Sequence, residues 1–153
     1  MELETISTRT QSLLTLFDMQ TIFFKRAIEG VADEDAHSRL ETKANHMAWI
    51  AGAIVHQRFQ MIQETAPEVK SKVDYLFKDY QGIKDGVIYP SLKQFADEWN
   101  RVTPYARQAL TDISDDKLDS DLDMGGTKMS YYEVIAFTLY REASFIGQLA
   151  LWR

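Results

Sequence analysis

Three histidines, two serines and two glutamates are the side chains here whose types could do chemistry. The histidines are His37, His46 and His56. A metal ion needs several donors within roughly 2.3 Å, and histidines four apart on a helix are a common way to present two of them. His46 and His56 lie on one predicted helix but roughly 15 Å apart along its axis, so they cannot share an ion. The chain has no cysteine, which excludes disulfides, thiolate ligands and a cysteine nucleophile. Ser91 and Ser130 have no histidine at a suggestive spacing. They are followed three residues on by Gln94 and Glu133, the pattern of helix caps rather than of nucleophiles. Glu133 and Glu142 could serve as acid and base, yet nothing in the sequence pairs them. The acidic run from Asp112 to Asp123 lacks the ligand order and mid-loop glycine of a calcium loop and reads as a solvated linker.

Four long helices have to position these residues. Three prolines and seven glycines leave long uninterrupted stretches. The first predicted helix runs from Leu3 to Ile28, with Leu13, Leu14, Phe17, Gln20, Phe24 and Ile28 near one face and Gly30 as its stop. Val31 to Lys43 reads as loop, with a short turn at Asp33-Glu34-Asp35. The second helix runs from Ala44 to Glu64, with Pro67 just beyond it. The third opens at Ser91 and runs to Asp112; Leu92, Phe95, Trp99, Val102 and Ala106 recur at spacings of three and four. Pro104 should kink it or tighten one turn. The fourth runs from Ser130 to Trp152, apolar nearly all round and therefore expected at the centre. Gly147 in it is expected to permit close helix approach. Pro67 to Pro90 is too long for a tight connection and reads as a crossover with a short element. Ser114 to Met129 reads as linker, and strand evidence is poor. The resulting fold class is all-α, one domain over residues 1–153, a four-helix bundle with a long crossover between the second and third helices.

Composition narrows the function. Lys and Arg total 17 against 23 Asp and Glu, a formal net charge of -6. No basic stripe offsets that sign, so nucleic acid is not an expected partner. No apolar run approaches the roughly 20 residues of a membrane span. The start, Met1-Glu2-Leu3-Glu4-Thr5, lacks a basic stretch followed by an apolar one. A cytoplasmic protein is expected. Trp49, Trp99 and Trp152 are expected as core or interface anchors.

Three strings carry a family resemblance: Trp49-Ile50-Ala51-Gly52-Ala53-Ile54-Val55, Tyr89-Pro90-Ser91-Leu92, and Tyr140-Arg141-Glu142-Ala143-Ser144-Phe145-Ile146-Gly147-Gln148-Leu149. In order and spacing the chain resembles the DinB-like (YfiT-like) four-helix bundles across almost its whole length. The resemblance implies a homodimer. It also implies one divalent metal held by three histidines, one after the glycine of the second helix and two on the last helix. The matching positions here are Ala53, Arg141 and Phe145. Alanine and phenylalanine have no donor atom, and arginine is a permanent cation. No metal or other cofactor is therefore expected, and the thiol-transferase and isomerase activities of some relatives do not carry over.

Arg141 then becomes the residue of interest. His46, Trp49, Ala53, His56 and Gln57 fall near the helix face that would look toward it. In one reading Arg141 pairs with Asp18 or Glu142, Phe145 plugs the former site, and the protein is a structural or stress-associated interaction protein. In another, Arg141 with His56 or His46 holds a small anionic molecule, because its fork matches two oxygens; a protein partner is the other occupant weighed. A third keeps catalysis, as a metal-independent transferase or isomerase acting on a thiol conjugate. The lost ligands lean against an enzyme.

Overall fold

The computed structural model describes residues 7–153; the helix start expected at Leu3 lies outside them. The chain is mostly helical. Its elements are α1 (Thr8–Ile28), α2 (Asp33–Ala36), α3 (Met47–Met61), α4 (Leu92–Thr111), α5 (Asp115–Asp119), β1 (Asp121–Asp123), β2 (Lys128–Ser130) and α6 (Tyr131–Trp152), with two single 3-10 turns at Asp74–Leu76 and Lys78–Tyr80.

Local chemistry sets most boundaries. Ser91 and Ser130 open α4 and α6 through reciprocal capping boxes with Gln94 and Glu133. Helix α4 runs through Pro104 as one element. Helix α3 starts later than the sequence suggested: His46 caps it, its Nδ1 accepting the Trp49 N–H at 3.0 Å. The acidic stretch after α4 is not a plain linker. Ser114 caps α5, and β1 pairs antiparallel with β2 across Gly125 and Gly126, whose φ values of 79° and 98° suit glycine. Three-residue strands carry too little hydrophobic alternation to be read in advance.

The four long helices pack mainly in four pairs: α3 with α4, α1 with α6, α1 with α4, and α3 with α6. Side chains set their directions. Arg9 lies over the Tyr132 ring and Gln20 Nε2 donates to Leu139 O, so α1 and α6 run parallel. Arg107 pairs with Asp18 while Trp99 Nε1 donates to Thr21 O, so α1 and α4 run antiparallel. Gln57 Nε2 donates to Thr138 O and Trp49 meets Phe145, so α3 and α6 are antiparallel. Helices α3 and α4 are parallel, with Gly52 beside Phe95 and Arg58 beside Thr103. The chain between them, residues 62–91, must therefore return the length of α3.

The central helix is α3 and not, as its composition suggested, α6. Every residue from Met47 to Phe59 is buried. Helix α6 buries only Ile135, Leu139, Glu142, Ile146 and Leu149, and leaves Phe137, Tyr140 and Leu151 exposed. The glycine that lets elements approach is likewise Gly52. A Cβ there would clash with the edge of the Phe77 ring and lie 2.7 Å from the Phe95 ring, whereas Gly147 faces open space. No helix among the described residues is long and apolar enough to cross a membrane.

Candidate functional site

The connecting segment lies over α3, and a cavity of about 100 Å³ remains beneath it. Trp49, Ala53 and His56 from α3 and Arg141 from α6 line its floor. Phe77, Tyr80, Gln81 and Gly82 roof it. Phe77 is itself held by Trp49, His56 and Phe95 rings about it. Asp79 and Tyr80 both take positive φ, 58° and 55°, a strained conformation for residues other than glycine. The Tyr80 ring is 91% exposed at the mouth.

Arg141 makes neither of the ion pairs considered for it. Asp18 is taken by Arg107, with Nε to Oδ1 at 2.9 Å. Glu142 points the other way on α6, since consecutive helical residues are turned by roughly 100°, and pairs with Arg58. Arg141 Nη1 instead donates to Gln57 Oε1 at 2.9 Å, and the guanidinium lies 4.9 Å from the Phe145 ring centroid. Phe145 stands edge-on to Trp49 at 6.3 Å and supports the Arg141 stem side of the cavity without lining it. Among the described residues, Arg141 has no carboxylate partner.

Two polar atoms of the lining residues, Trp49 Nε1 and His56 Nδ1, are buried without a hydrogen-bond partner. The His56 nitrogen lies 3.4 Å from Asp74 Oδ1, without hydrogen-bond geometry. Burial holds His56 below its ordinary pKa of 6.5; Asp74 opposes that shift and Arg141 adds to it. The cavity is thus lined by one cation, one indole ring and one imidazole.

His46 belongs to a different cluster. Its ring lies 5.4 Å from those of His37 and Tyr89. Capping α3 occupies its Nδ1, and it does not line the cavity. Of the residues singled out in the sequence, Trp49, Ala53, His56 and Arg141 come together, Phe145 supports them, and His46 stands apart.

The side chains present do not fit the metal that the resemblance implies. Ala53 offers no donor, Phe145 packs its ring under Arg141, and the guanidinium brings positive charge to where an ion would sit. Among the described residues, no three His, Asp or Glu side chains gather closely enough to hold a metal ion.

The sequence reading missed Arg58. Its side chain is fully buried, with Nη2 2.6 Å from Glu142 Oε1 and Nε 3.0 Å from Oε2. Nη1 donates to Thr21 and Thr103 hydroxyls at 2.8 Å each. The Trp99 and Phe17 rings sandwich it at 3.5 and 3.8 Å. The signal was present: Ile54, Arg58 and Ile62 form one fully buried stripe at spacing four, and Glu142 sits in the matching stripe of α6.

Comparisons of the sequence with models of protein families and with curated proteins return no match.

Proposed function

We propose that this protein binds a small carboxylate-bearing molecule, without a metal, in the cavity between α3, α6 and the connecting segment. The observation that carries this reading is the Arg141 guanidinium, without a carboxylate partner among the described residues, in a cavity lined by Trp49, Ala53 and His56. A part-buried cation without a counter-charge is costly, and an anionic oxygen in the cavity would relieve that cost. Arginine binds carboxylates through two parallel N–H···O bonds. The volume suits a carboxylate head with a few carbons, and the exposed Tyr80 at the mouth suits the remainder of a larger ligand. The alternative of a plugged, purely structural bundle is disfavoured because Phe145 lies beside the cavity rather than in it, and Arg141 pairs with neither Asp18 nor Glu142.

The framework we propose is a DinB-like four-helix bundle whose crossover, between α3 and α4, supplies the roof of the site. The parallel α3–α4 pair and the long return segment support it. The protein also forms a homodimer in this reading, through the outer face of α1 and α6. Leu16, Met19, Phe23, Phe137 and Tyr140 are exposed there, and the exposed positions of α6 from Phe137 to Leu151 carry no charge.

Indole N–H resonances test the ligand reading. Titration with acetate, propionate and butyrate should shift the Trp49 signal saturably and leave that of Trp99, already bonded to Thr21 O. Arg141→Gln should weaken binding about tenfold or more, the loss of one charge-assisted pair. A Trp49 signal unmoved by all three acids, or equal affinity in Arg141→Gln, would overturn it.

A further inference from the structure

A second, larger cleft of about 390 Å³ opens where α3 and α4 end and α6 begins. That volume is within the range of small-molecule sites. Met61, Leu110, Ile113, Val134 and Ile135 give it an apolar wall, with Gln57, Gln60, Thr65 and Thr138 as polar lining. The parallel run of α3 and α4 brings two helix C-termini to its mouth, each carrying roughly half a negative charge. Glu64 and Asp112 line the same mouth. Asp112 accepts from Gln108 Nε2 at 2.8 Å, and Glu64 has no ion-pair partner among the described residues. The start of α6 does not reverse this field, because Ser130 and the Glu133 carboxylate already cap its donors.

A cation of the chain itself already stands at the mouth. The Lys117 ammonium sits 4.8 Å from the centroid of the Tyr131 ring, which lines the cleft. That ammonium makes no salt bridge among the described residues. Its contact is the face of the Tyr131 ring. With Lys117 counted, the lining side chains still sum to one negative charge.

We propose that this cleft is a binding site for a hydrophobic primary amine. The alkyl or aryl body lies among Met61, Leu110, Ile113, Val134 and Ile135, and the ammonium reaches Glu64 and Asp112 at the mouth. The site is separate from the Arg141 cavity and takes the opposite charge. The two lie on either side of Gln57, whose Oε1 accepts from Arg141 and whose Nε2 donates to Thr138 O beside the cleft.

Hexylamine, hexanol and hexanoate share one tail and differ in head charge, so together they test the proposal. Binding is read at the methyl resonances of Ile113 and Ile135, with the Trp49 indole as monitor of the other cavity. Hexylamine should bind here about tenfold more tightly than hexanoate, with hexanol between, as expected for reversing one charge at a partly solvated mouth. Glu64→Gln with Asp112→Asn should remove the amine's advantage and leave hexanol unchanged. Ala109→Phe, which fills the cleft, should abolish all binding at these methyls. Hexanoate binding here as tightly as hexylamine would overturn the proposal. So would the absence of saturable shifts at Ile113 and Ile135 with hexylamine, or an amine preference that survives the double carboxamide variant. Shifts from hexanoate confined to Trp49 report on the carboxylate cavity and are the expected pattern.

Discussion

Arg58 keeps its charge in a place with no water. Two aromatic faces, two hydroxyls and a bidentate carboxylate replace its hydration shell. Burial is the leading influence on both partners. It lowers Arg58 and raises Glu142, each tempered by the other. Such a pair contributes little net stability relative to well-packed apolar residues, but breaking it strands a buried charge. Arg58→Met should therefore cost about 3–5 kcal/mol in chemical denaturation, while Arg58→Met with Glu142→Leu should recover most of that loss. Equal loss in the single and double variants would show that packing around the pair, rather than the stranded carboxylate, sets the cost. Arg141, one residue before Glu142, has the contrary situation. It is half-buried with a single amide partner, and so is available to a ligand.

At the scale of the element, α3 begins on a histidine, and this makes its first turn sensitive to pH. The His46 Nδ1 lone pair accepts the Trp49 N–H, which requires the neutral ring. Burial is the main reason its pKa lies below 6.5, with His37 and Arg39 adding to the shift and its own backbone hydrogen bond opposing it. His56 is shifted the same way. A base that protonates less readily folded than unfolded contributes full stability above its unfolded pKa. That contribution is lost as pH falls through 6.5 toward the folded value. Thermal denaturation should thus show stability falling as pH drops below about 6.5. His46→Asn keeps a capping side chain but has no proton to gain, so it should flatten this slope, and adding His56→Gln should flatten it further. An unchanged slope in the double variant would assign the acid response to other groups. The same element shows how much was legible beforehand. The capping boxes of α4 and α6 were readable because Ser91-to-Gln94 and Ser130-to-Glu133 contacts are local. The hairpin from Asp121 to Ser130 was not, because three-residue strands leave almost no periodic signal.

Across the whole molecule, the uneven burial of α6 has a consequence. Its apolar residues exceed what the core can cover, and exposed Leu16, Met19 and Phe23 of α1 add to that surplus, with Arg26 over the Phe23 ring. A self-complementary face of this kind favours a two-fold dimer. Sedimentation should find a dimer of the 17.7 kDa chain. Phe23→Glu with Tyr140→Glu should shift it to monomer without loss of helical signal. A wild-type monomer at all concentrations would remove the dimer from the proposed function and leave both cavities untouched.

Sequence by itself determined the long helices and two of their caps, because each depends on residues within a turn or two of one another. It also singled out Trp49, Ala53, His56 and Arg141, through spacing and resemblance together. Only the tertiary structure decided which arginine meets which carboxylate, which helix lies at the centre, and that His46 caps a helix while His56 lines a cavity. Those outcomes depend on contacts between residues distant in the chain, such as Arg58 with Glu142 and Phe77 with Gly52. In such contacts a rotation of roughly 100° between neighbouring helical residues sends one side chain to the core and the next to a cavity.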